Sequence, residues 1–149
     1  QIKLFSVNAP DGWKYGDIEY PLFDKDLVYE YNGYKVEVLG YEYEKWRNYN
    51  GDNGTPAIIV RFYYENGNDV PLYLLESYGI AMYQDGYELD YISLNSDNSE
   101  AQNITKGVKN GAGLYCKMAF KTISNSDTEL IITEPNWTGN ILCDLQLKK

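Results

Sequence analysis

At 149 residues, with 44% hydrophobic and 23% charged side chains, the chain is one domain long and apolar enough to build a core, despite a mean hydropathy of −0.51. Its net charge of −9, from 13 basic against 22 acidic residues, argues against nucleic acid and anionic bilayer surfaces, which call for clustered Lys and Arg. The absence of histidine removes Ser-His-Asp and Cys-His relays and the usual zinc and copper sites, so no cofactor is expected.

The chain opens at Gln1 with no initiator Met, the start expected of a trimmed form whose targeting segment has been removed. Residues 1–26, with Pro10, Trp13 and Pro21, fit a strand pattern least well and are expected to form an N-terminal arm or extra edge strand. From residue 27 on, period-two patterning and turn residues predict strands over 27–31, 34–46, 56–65, 75–84, 87–94, 112–121, 128–134 and 140–147. Asn32-Gly33 and Asp85-Gly86 are two-residue hairpin signals, because both dipeptides tolerate the positive φ of a type I′ turn. Gly40 stands where the apolar parity of the second strand switches, which predicts a bulge. No window sustains a 3.6-residue apolar period, so helix should be scarce. Eight short strands joined by Gly- and Asn-rich turns predict an all-β antiparallel sandwich over residues 27–149.

Within 56–65, Ile58, Val60, Phe62 and Tyr64 share one apolar face, while Tyr63 shares the other with Arg61 and Glu65. Tyr63 is therefore a candidate surface aromatic. Tyr87, Tyr91 and Trp137, on hairpins and turns, complete a possible sugar-stacking set, although ordinary rim aromatics explain the same residues. In the loop NYNGDNG, Asn48, Asn50 and Asp52 alternate as calcium ligands do in an EF-hand. Asn53 at the glycine position and Ile59 at the twelfth depart from that pattern, and a tight Asn/Gly turn accounts for the composition without a metal. Glu76, Glu88 and Asp90 are the acids best placed to form a carboxylate pair, against the plainer reading of solvated acids on an outer face. Cys116 and Cys143 both fall on apolar parities; they bridge only if their Cα atoms come within about 7 Å, and free thiols are the preferred reading.

The segments NGYKVEVLGYEYEK, NGTPAIIVRFYYENGND, QDGYELD, NITKGVKNGAGLYCKMAFK and TELIITE follow one another in an order that resembles the immunoglobulin-like domain of Gram-positive surface lipoproteins, domain of unknown function 5067 and its relatives. The resemblance spans residues 27–147 and rests on turn-and-strand patterns. It implies an immunoglobulin-like β-sandwich of about 7–9 strands, extracellular and attached to the cell surface of a Gram-positive bacterium through a lipid anchor upstream. It implies no catalytic residues. The expected function is a non-catalytic surface domain contacting an unknown protein or glycan of the cell envelope, without inserting into the membrane. A carbohydrate-binding module using exposed Tyr and Trp is the alternative, and a glycoside hydrolase using carboxylates alone is more remote.

Overall fold

The computed structural model describes residues 27–46, 54–93, 99–135 and 139–149. Alternating side chains make nine strands among them: β1 (Val28–Tyr31), β2 (Tyr34–Trp46), β3 (Thr55–Asn66), β4 (Gly79–Gln84), β5 (Tyr87–Glu88), β6 (Tyr91–Ile92), β7 (Gly113–Lys121), β8 (Thr128–Thr133) and β9 (Ile141–Leu147). Two single-turn helices, α1 (Leu74–Ser77) and α2 (Ser99–Gln102), and a 3-10 turn at Asn103–Thr105 complete the described elements. The strands form two antiparallel sheets, ordered β1-β2-β3-β7-β6 and β5-β4-β8-β9. The fold is thus the expected immunoglobulin-like sandwich. Both predicted hairpins close through residues of positive φ, 52° and 83° at Asn32-Gly33 and 53° and 86° at Asp85-Gly86.

The core lies between the sheets. Val36, Val38, Ile58, Val60, Phe62, Cys116 and Met118 from the first sheet meet Met82, Leu130, Ile132, Cys143 and Leu147 from the second. Full burial of an aliphatic or Phe side chain stabilises by about 1.5–3 kcal/mol, so this layer dominates the fold's stability. Register slips between Val38 and Gly40, leaving Leu39 as the extra residue of the expected bulge. The slip turns Tyr41 and Tyr43 to the inner side, where their hydroxyls reach the second sheet. Tyr43 donates to the Leu147 carbonyl at 2.5 Å and accepts from the Thr128 N–H at 2.9 Å, and Tyr41 donates to the Lys148 carbonyl at 2.7 Å. At the opposite end the Tyr78 hydroxyl donates to the carbonyls of Tyr29 and Tyr34, and the Tyr64 hydroxyl pairs with Ser77 Oγ at 2.5 Å. Four of the 16 tyrosines therefore tie the first sheet either to the second or to the α1 segment that leads into it.

Three expectations need correction. The strand predicted over 75–84 is a helix followed by β4, because Leu74 and Ser77 are buried at a spacing of three and Ser77 Oγ bonds back to the Tyr73 carbonyl. The strand predicted over 87–94 breaks after Glu88: Leu89 dives into the core, and the chain crosses from β5 in one sheet to β6 in the other. Ile141, read on the buried parity of Cys143, is 57% exposed, since the β8–β9 register shifts between Ile132 and Thr133. No helix among the described residues is long and apolar enough to cross a membrane.

Candidate functional site

On the outer face of the second sheet, cross-strand pairs run Gly79 opposite Thr133, Ala81 opposite Ile131 and Tyr83 opposite Glu129. The first two pairs put little bulk on β4. At Gly79 the Thr133 side chain lies so close over the backbone that any Cβ would collide with it. A depression results, and its walls come from elements on three sides. α1 contributes Leu75 and Glu76, the β4–β5 hairpin contributes Tyr83 and Glu88, and the segment after β8 contributes Glu134 and Pro135. The groove encloses about 650 Å³. Among the described residues, every charged side chain lining it is acidic. Asn140 Nδ2 donates to Glu134 Oε2 at 2.8 Å and so orients that carboxylate.

Negative charge continues beyond the groove on the same face. Glu129 and Asp144 share a hydrogen bond between carboxyl groups, which raises the Glu129 pKa above the ordinary carboxylate value, with burial and the Asp144 charge adding to the effect. Among the paired residues of β4, β8 and β9 on this outer face no Lys or Arg interrupts the acids.

The candidate aromatics do not converge. Tyr63 packs on Tyr115, ring centroids 4.9 Å apart, and lies over Gly113, where a side chain would clash with its ring. Burial raises its pKa, with the nearby Glu65 carboxylate adding to the effect. Tyr87 is 70% exposed at the hairpin, and Tyr91, 42% exposed, sits edge-on against Phe120, with burial of its ring raising its pKa. Trp137, Asn48, Asn50 and Asp52 lie outside the described residues. Among the described residues no three His, Cys, Asp or Glu side chains cluster as metal ligands would. Of the three candidate acids, Glu76 and Glu88 line the groove and Asp90 does not. Sequence reasoning missed Glu134, Tyr83 and the small-residue floor. Its one available signal was the pairing of Gly79 and Ala81 parity with acids at both ends of the strand.

Arg61, expected on a mixed outer face, is fully buried on the far side of the first sheet. Its Nε donates to Glu100 Oε1 of α2 at 2.7 Å, a second guanidinium nitrogen donates to Oε2, and its Cζ stands 5.4 Å from the Tyr115 ring centre. Cys116 and Cys143 are free and buried on different strands of different sheets. No protein-family model, curated protein or solved structure matches the chain.

Proposed function

We propose that this is a non-catalytic extracellular domain of a Gram-positive cell surface that makes protein or envelope contacts, and that the acid-rimmed groove of the second sheet is its contact site. The observation that carries the reading is the single sign of the groove's described lining. Glu76, Glu88 and Glu134 ring an apolar floor of Ala81 and Ile131, an arrangement suited to holding a partner by shape and charge together. The sandwich fold agrees with what the lipoprotein resemblance implies.

A thermal-shift panel of soluble envelope proteins, cell-wall fragments and polysaccharides tests it. A ligand at 100 times its dissociation constant adds about 2.7 kcal/mol, or roughly 5–11 °C for a domain of this size. The expected result is a shift that Glu76→Gln, Glu88→Gln and Glu134→Gln together remove. A second reading, glycan binding, draws on the exposure of Tyr87 and Tyr91 at 70% and 42%. It takes first place if a polysaccharide produces the shift and Tyr87→Ala or Tyr91→Ala abolishes it.

A further inference from the structure

In a two-residue hairpin the closing pair exchanges both backbone bonds, so the N–H and C=O of Gln84 point to Tyr87 across β4 and β5. Alternation then aims Met82 and Ile80 the same way, while Gly79, Ala81 and Tyr83 aim at β8. Met82 is met there, since its carbonyl accepts from the Leu89 N–H at 2.7 Å. Past Leu89 the chain leaves for the first sheet, and β5 has ended. Among the described residues nothing lies in register beside Ile80 on that side. Two residues further back, the Tyr78 N–H is already bonded to the Leu74 carbonyl at 3.1 Å and closes the edge at α1. Among the described residues the result is a short open window in a sheet edge, with β5 at one end and α1 at the other. Ile80 is only half-buried and itself lines the groove.

We propose that this window in β4 takes an extended, lysine- or arginine-bearing segment of a partner protein as an added strand. The inference rests on the groove being a contact site and names the occupant. A strand placed in line with β5 pairs its backbone with the N–H and C=O of Ile80. Its residues opposite Gly79 and Ala81 fall on the outer face, over the groove, because paired residues share a face. A long aliphatic stem there lies along Ala81, Ile131 and Tyr83, and its cationic end reaches the carboxylates of Glu76, Glu88 and Glu134. Residues of the other parity face Ile80 and call for small or β-branched side chains. The recognised pattern is therefore two basic residues flanking one small or β-branched residue. Charge selects the partner, and the open backbone selects its extended conformation.

The test uses a seven-residue peptide, acetyl-Thr-Lys-Val-Lys-Thr-Lys-Val-amide, and a copy with Glu for Lys. Two further copies carry backbone N-methyl groups, one on the Lys positions and one on the Thr and Val positions. The expected result is measurable binding of the Lys peptide, at least 10-fold loss with the Glu copy, and at least 10-fold loss with the copy N-methylated on Thr and Val, whose N–H faces Ile80, while the copy N-methylated on Lys keeps its affinity. Hydrogen exchange of the Ile80 amide should slow in the complex. The triple variant Glu76→Gln, Glu88→Gln, Glu134→Gln, its fold checked by a cooperative melting transition no lower than that of the wild type, should bind at least 10-fold more weakly. If the Lys peptide binds but both N-methylated copies bind as well, strand addition is overturned while the groove remains a contact site. If neither peptide binds and a polysaccharide or wall fragment does, the cationic partner is overturned and the contact reading stands. If all peptides, envelope proteins and wall fragments leave the protein unshifted, both fall together.

Discussion

One buried amide, Gln84, holds four backbone groups of the loop that follows β7. Its Nε2 donates to the Ser124 and Ser126 carbonyls at 3.2 and 2.7 Å, and its Oε1 accepts from the N–H groups of Ile123 and Ser124 at 2.7 and 3.2 Å. Removing such an amide leaves buried polar groups unpaired, so Gln84→Ala should cost about 1–3 kcal/mol in chemical denaturation. An unchanged midpoint would mean that water takes over all four bonds. The sequence shows only that Gln84 shares parity with Met82. Whether a polar residue on that side meets solvent or a loop is decided by residues about 40 positions away. The two thiols are a second case. Burial pushes the Cys116 thiol up to about 12, with the Glu100 charge adding to the effect, and burial also raises Cys143. The thiolate is the reactive form, so an aromatic disulfide reagent should find no thiol in the native protein and two after unfolding without reductant. Fewer than two in the unfolded chain would show that one had been oxidised.

At the level of elements, α2 is only four residues long, too short to be helical by its own propensity. What fixes it on the first sheet is Glu100, which meets the guanidinium of fully buried Arg61 with two oxygens, helped by Asn103 Nδ2 donating to the Tyr115 carbonyl at 2.8 Å. Glu100→Ala leaves a buried cation without its carboxylate. The expected loss is about 3 kcal/mol, at the lower end for a broken buried pair because the Glu100 side chain is 22% exposed. Glu100→Gln, which keeps the shape and loses the charge, should lie between wild type and Ala; equal stability of all three would show that α2 is not anchored by charge. The long strands were legible because twelve or thirteen alternating residues leave little choice of period, and the bulge was legible because Gly40 marks it. Short elements were not. Four residues of 74–77 fit a strand or a helical turn equally well until Tyr64 and Tyr73 supply the bonds that close it. The break after Glu88 depends on Leu89 finding space between the sheets. The groove inherits that limit: its acids and small residues stand in the sequence, but their meeting depends on α1, the end of β5 and the turn after β8.

Across the whole molecule, the charge of −9 is distributed so that the paired residues on the outer face of the second sheet carry acids with no intervening base. Such a face attracts a cationic partner and repels itself. Glu129 and Asp144 show the second effect, because their shared hydrogen bond needs a proton and raises the Glu129 pKa from its ordinary value of 4.5. The folded state therefore holds that proton more tightly than the unfolded chain does. Its stabilising contribution is complete below the unfolded value and is lost as pH rises through the folded one, which leaves two like charges side by side at neutral pH. Glu129→Gln supplies a permanent donor to Asp144 in place of the proton. Thermal or urea unfolding at pH 7 should show the variant more stable by about 0.2–1 kcal/mol, the scale of cross-strand pairs. The difference should shrink with added salt, since both groups are largely solvent-facing, and should close below about pH 4 where Glu129 is protonated. A gain that persisted unchanged into acid would point to packing of the amide instead of relieved repulsion. A loss at pH 7 would mean that the acidic face is stabilised by a cation the carboxylate recruits from solution.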